Sequence, residues 1–389
     1  MRLGAWLPFA PAATLLTHFT GVVVSTSTTR RLTEGAGAAL LADQADDLAR
    51  LERELPDVPP GPPIQHLSVD GAFVPLVGGT WGEVKTLALG TVVPPRWSAR
   101  EQAWQIHTSD LSYYAQLADH ETFAWAATLE THRRGTLTAG TVCAVTDGAA
   151  WCQHFIDLHR PDAVRILDFP HAVGYLAQAA QAVWGVDSDQ ARRWTQQQAE
   201  TLRDAGPESV VAALRALGDA DAVVTALTYL ERRRALLQYP AFRAAGYPIG
   251  SGCVESANKL VVEARLKGSG MHWDRGQVNA MLALRTVVCA DRWDEAWPRI
   301  QARRAVQQRE RRRQRHCAHR RGVATLPLPV VVCPAATEAR GAPDPAPPAA
   351  APDPPVVPTS LGRRPPAADH PWRRQTIARS LPFRRSAEF

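Results

Sequence analysis

Asp70, Asp147 and Glu255 lie far apart in the chain, yet each falls where a sheet or the helix beside it can present a carboxylate. Asp70 stands in Leu67-Ser68-Val69-Asp70-Gly71, Asp147 closes Val145-Thr146-Asp147-Gly148, and Glu255 comes in the first turn of a helix after a glycine-rich turn. Oxygen donors so arranged suit hard divalent cations. Two such cations about 3.5–4 Å apart can activate an attacking oxygen and steady a leaving oxygen in phosphodiester chemistry. Each aspartate precedes a glycine, and Asp-Gly is a common turn dipeptide, so a strand-end turn is the plainer reading of either one alone. Asp70 argues for more, because Ala72-Phe73-Val74-Pro75-Leu76 continues its strand. An acid between Val69 and Phe73 needs a compensating partner, and a bound cation supplies one. Asp168-Phe169-Pro170-His171 sets another carboxylate and a histidine at a strand end. Asp168 reads first as a helix cap; His171 reads as an orienting donor, a DNA contact or part of the same cap.

The elements that must carry these residues follow from periodicity. His66 to Val77 alternates, and Val84 to Val93 is its hairpin partner across Gly78-Gly79. A helix is predicted over Asp110–His132. After it come a strand at Thr141–Thr146, a helix at Trp151–His159, a strand at Val164–Leu167 and a helix at His171–Trp184. Strands alternating with helices imply a mixed α/β sheet with both faces covered. Residues 186–246 carry only helical patterns and form an all-helical insertion. Gly246 to Gly252 turns into a helix over Cys253–Lys267.

Upstream, residues 1–55 read as helices, Ala12–Phe19 and a longer one capped by Ser27-Thr28-Thr29, broken at Gly21. The pair fits a helix-turn-helix or, on its loose spacing, an ordinary helical hairpin. Prolines 56, 59, 60, 62 and 63 make residues 56–63 a stiff linker into a domain over 64–300. Met1–Leu16 imitates a secretory signal, but Pro8 and Pro11 interrupt its apolar run. No apolar run is long enough for a membrane span. The six cysteines stand singly, excluding a zinc ribbon or disulfide scaffold and fitting a reducing cytoplasm. The net charge of +6 is local: residues 301–321 hold nine arginines and one glutamate, so the remainder is slightly acidic. That segment predicts a basic helix on a phosphate backbone, with a solvated face as the plainer alternative. Residues 322–389, rich in Pro and Ala, are predicted to be a disordered tail.

The block Tyr247-Pro248-Ile249-Gly250-Ser251-Gly252-Cys253-Val254-Glu255-Ser256-Ala257-Asn258-Lys259, with Arg265-Leu266-Lys267-Gly268-Ser269-Gly270-Met271-His272-Trp273, resembles bacterial insertion-sequence transposases of the Kra type. So do Val69-Asp70-Gly71, the segment from Val145 to Trp151, and Ile166 to His171. These proteins are similar to the wider Mutator-like group of DDE transposases, and the resemblance covers roughly residues 60–300. It implies an RNase H-like catalytic domain interrupted by a helical insertion, with Asp70, Asp147 and Glu255 holding two magnesium ions, manganese being able to substitute. Asp168 and His171 match its auxiliary motif. It also implies a longer segment before the linker than residues 1–55 supply, so the chain reads as a truncated or mis-started copy.

The partner implied is double-stranded DNA, as terminal inverted repeats and as target, bound by a homo-oligomer on the bacterial nucleoid in the cytoplasm. The helix after Glu255 presents Lys259, Arg265 and Lys267; Lys259 reads as a phosphate contact or as an intrahelical ion-pair partner of Glu255. Trp273 reads as a stacking platform for an unpaired base or as core. Arg311, Arg312 and Arg313 complete the predicted DNA contacts. Two alternatives share these residues: an RNase H-like structure-selective nuclease, and an inactive DNA-binding remnant of a transposase.

Overall fold

The computed structural model describes residues 1–99 and 103–324. The alternating segment around Asp70 is β1 (Ile64–Pro75), which turns through Gly78 and Gly79, at φ of 90° and 77°, into β2 (Trp81–Ser98). These left-handed backbone values suit glycine, which lacks the Cβ that opposes them. β3 (Ala103–Leu117) pairs antiparallel to β2 on its far side. β4 (Thr141–Thr146) lies parallel to β1, and β5 (Val164–Leu167) parallel to β4. The result is a five-stranded mixed sheet in the order β3-β2-β1-β4-β5. Both faces are covered, as the sequence implies. Leu67, Val69, Leu87 and Leu89 bury against α4 (His120–Arg133) and α5 (Ala150–His159) through Phe123, Phe155 and Ile156.

One strand corrects the sequence reading. The helix predicted over Asp110–His132 begins only at His120, capped by Asp119, whose Oδ1 accepts from the Thr122 amide at 2.8 Å. Residues 103–117 instead complete the sheet. Tyr113, Ala115 and Leu117 are buried while Tyr114 and Gln116 are half-buried, the period-two pattern of a strand. A bulge hides that pattern: Leu89 pairs with Ser112 but Thr91 with Ser109, leaving an extra residue on β3, where Asp110 takes φ 52°.

On the opposite face, α6 (Phe169–Trp184) and the helical segment α7 (Asp189–Ala205), α8 (Pro207–Arg215), α9 (Asp221–Arg232), a 3₁₀ turn (Arg234–Leu237) and α10 (Tyr239–Ala244) pack on β4 and β5. Asp168 caps α6 as expected, with Pro170 in its first turn, and Ser188 caps α7. Over β1–β3 lie α11 (Gly252–Ala257), a π-helical turn (Asn258–Glu263), α12 (Ala264–Leu266) and α13 (Arg275–Cys289).

Of the N-terminal helices, α1 (Arg2–Trp6) packs on α13, α3 (Thr26–Glu54) on α13 and on α14 (Trp293–Ala324), and α2 (Phe9–Thr20) on α3. The cap of α3 is Ser25 rather than the Ser27–Thr29 stretch, its Oγ accepting from the Thr28 amide. Among the described residues no helix is long and apolar enough to cross a membrane. The predicted tail lies, from residue 325 on, outside the described residues; helix α14 continues through Ala324.

Close approach of α3 to α13 depends on Gly37, where a Cβ would stand 2.1 Å from the backbone oxygen of Ala280. Gly37→Ala is therefore expected to push the two helices apart and cost about 1–3 kcal/mol, read as a lower urea midpoint. An unchanged midpoint would show that this contact is not made.

Candidate active site

Strand register brings the first two acids level. Leu67 of β1 faces Ala144 of β4 in a parallel pair, and Asp70 and Asp147 each lie three residues further along. Ser68 fastens the strands just below, its hydroxyl donating to the Val145 carbonyl at 2.5 Å. The turn after Asp147 needs Gly148, which holds φ 76° and has Arg233 Nε within 2.6 Å of where a Cβ would sit. Glu255 reaches the site from α11, whose start is tied back to the sheet. Asp168, only 3% exposed, accepts from the Ser251 amide at 2.6 Å through one oxygen and from the His171 amide at 2.9 Å through the other. Its capping role is thus as the sequence suggested, and the same carboxylate also holds the Glu255 helix.

Asp70 is where the acids are felt together. Its Oδ1 accepts from the Gly71 amide at 2.7 Å and its Oδ2 from Asn258 Nδ2 at 2.8 Å. Burial, with the charges of Asp147 and Glu255 adding to it, raises its pKa from 3.8 to about 6 against those hydrogen bonds. Asp147 Oδ1 accepts from the Ala149 amide at 2.9 Å and lies 3.5 Å from Cys152 Sγ. Glu255 is exposed, with the Ser251 hydroxyl 3.4 Å from Oε1. His171 is exposed too, its ring edge-on to Tyr175 at 5.5 Å.

Asn258 was not singled out by the sequence reading, although Glu-x-x-Asn spacing on a helix is a visible signal. It is 7% exposed, and its Oδ1 is buried without a hydrogen-bond partner. It opens the π turn, whose altered ladder frees carbonyls that a buried arginine takes up. Arg285 donates to the carbonyls of Val261 and Ala5 at 3.2 and 3.0 Å and to that of Leu260.

Among the described residues no three His, Cys, Asp or Glu side chains close into a ready metal shell. The side chains around Asp70 that could serve a cation are hard oxygen donors: Asp147 and Glu255, whose charges act on Asp70, and Asn258, which hydrogen-bonds it and whose Oδ1 has no partner. That set, and the mutual repulsion registered at Asp70, fit divalent magnesium or manganese, which take oxygen ligands and offset like charge.

The predicted DNA contacts divide. Lys259 is exposed, and among the described residues no ion pair joins it to Glu255, so the intrahelical pairing is not formed. Arg311, Arg312 and Arg313 are exposed along α14. Lys267 is half-buried and pairs with Glu263 at 2.8 Å. Two expectations are corrected. Arg265 is 1% exposed, its Nε donating to the Gly4 carbonyl at 3.1 Å and its guanidinium lying over Phe9 and Trp273 at 4.5 and 5.1 Å. Trp273 is 7% exposed in the core, with its indole N–H on the Leu266 carbonyl at 3.0 Å. Both face inward because α1 and α2 cover that side of the helix.

Compared with known proteins, the chain matches no family model, and no curated protein is significantly similar to it.

The raised pKa of Asp70 sets a pH dependence. The folded state holds this proton more tightly than the unfolded chain, so the group favours folding below about pH 4, and that contribution is lost as pH rises through about 6. The rise corresponds to about 2–3 kcal/mol, less some solvent screening. Asp70→Asn, which keeps an acceptor for Asn258, should unfold at a higher temperature than the parent near neutral pH with chelator present, the gap closing toward about pH 4. A variant less stable at neutral pH would contradict the repulsion.

Proposed function

We propose that the chain is a DDE-type DNA transposase with an RNase H-like catalytic domain, Asp70, Asp147 and Glu255 being its catalytic acids. The observation that carries the reading is that the β1–β4 register sets Asp70 and Asp147 level while Asn258, three residues after Glu255, donates to Asp70 at 2.8 Å, joining residues 77 and 185 positions further along the chain to its surroundings. The strand order, with β2 alone antiparallel to the other four, supports it.

In this reading Asp70, Asp147 and Glu255 would hold two magnesium ions, which would supply activation of the attacking oxygen and neutralisation at the leaving oxygen. Asp70 stays oriented by Gly71 and Asn258, Asp147 by Ala149, and the Glu255 helix by Asp168, so the protein's share is position and charge. Water first cleaves the phosphodiester at an element end. The freed 3′-hydroxyl then attacks target DNA in line, one bond broken for each formed, without a covalent protein intermediate. Phosphates lie along exposed Lys259 and the arginines of α14, in a homo-oligomer assembled on inverted repeats of the nucleoid. Helices α2 and α3, joined at Gly21, are the segment for helix-turn-helix contact.

Asp147→Asn is expected to lower magnesium-dependent cleavage of DNA bearing the element's ends by more than about a hundredfold, the upper end for losing even an outer partner of a metal site. DNA binding should remain nearly intact in gel shift. Retained cleavage would remove Asp147 from the site. Cleavage by the parent chain without joined products would favour a structure-selective nuclease, and DNA binding without cleavage in magnesium or manganese an inactive remnant.

A further inference from the structure

The helical segment between β5 and α11 does more than cover the sheet, because two of its tyrosines reach the ends of adjacent strands. Tyr229 of α9 donates its hydroxyl to the carbonyl of Asp147. Tyr239 of α10, fully buried, donates to the carbonyl of Leu167 at 3.0 Å, the residue before Asp168. One turn beyond Tyr229, Arg233 donates through Nη2 to the Gly148 carbonyl at 3.0 Å, its guanidinium lying 4.0 Å over the Tyr229 ring. The Tyr229 ring is itself stacked on Tyr175 of α6 at 3.9 Å and 14°.

The Tyr229 and Arg233 contacts fall on a stretch that has run past the sheet ladder. β4 ends at Thr146, and the carbonyls of Asp147 and Gly148 need partners from outside the sheet. Gly148, at φ 76° and with Arg233 Nε 2.6 Å from where a Cβ would sit, has the room and backbone freedom that the clamp exploits.

We infer that Tyr229 and Arg233 are positioning residues that fix the Asp147–Gly148 backbone, making the helical insertion a working part of the acidic site. This rests on the proposed role of Asp147, but the clamp itself is testable apart from it. Loosening the turn lets the Asp147 carboxylate wander from the geometry its partners require, the kind of loss seen when an outer partner of a metal ligand is removed.

The test uses the full chain with Tyr229→Phe, which keeps the stacking ring and removes only the hydroxyl, and with Arg233→Lys as a second variant that keeps the charge. Binding of manganese alone is followed by electron paramagnetic resonance, and amide hydrogen exchange is measured over residues 147–152. Tyr229→Phe is expected to weaken manganese binding by roughly tenfold or more and to speed exchange across that stretch, with the thermal midpoint little changed. Arg233→Lys should do the same more mildly. Unchanged exchange and manganese affinity in both variants would overturn the clamp. If the parent chain binds no manganese, the metal role of Asp147 fails, while the exchange comparison still decides the clamp.

Discussion

Asp70 is a carboxylate held in a buried strand, where lost hydration and the like charges of Asp147 and Glu255 both act against its ionised form. Its pKa is raised to about 6 as a result. The opposing forces are all short-range and directional. Parallel pairing of β1 with β4 keeps the aspartates level, and Ser68 pins the two strands together. A single buried carboxylate, Asp168, ties the starts of α6 and α11 to the sheet and so restrains the helix of Glu255. Each bond replaces one the group would make with water, so each adds little net stability; together they fix where charge sits.

The outer side of the Glu255 helix is held by two buried arginines. Arg285 takes up carbonyls that the π turn leaves free, and Arg265 lies between Phe9 and Trp273 while donating to Gly4. Burial lowers the Arg265 pKa to about 10, with the Arg285 charge acting in the same direction, yet still leaves it cationic at neutral pH. Through these side chains α1 and α2 become part of the platform beneath the glutamate.

Much of this was legible in the sequence, for identifiable reasons. The strands around Asp70, Asp147 and Asp168 carry strong apolar patterns between clear turn residues, and Asp168 has the spacing of a helix cap. β3 was misread because its bulge at Asp110 breaks the two-residue period that marks a strand. Arg265 was misassigned because its helix is amphipathic on both readings, and Trp273, in the bridge after that helix, falls to the core alternative rather than the stacking one. Only the packing of α1 and α2, distant in sequence, decides which side is covered. Asn258, Tyr229 and Tyr239 escaped notice for a similar reason: their partners lie 188, 82 and 72 residues away. Nothing local marks a side chain whose task is to hold a remote backbone.

The most direct test of the central claim is anomalous diffraction from crystals of the chain soaked in manganese. Convergence of the three acids on a cation site predicts anomalous peaks within about 2.2 Å of carboxylate oxygens of Asp70, Asp147 and Glu255. Peaks found only elsewhere on the surface, with these carboxylates bare at saturating manganese, would contradict it.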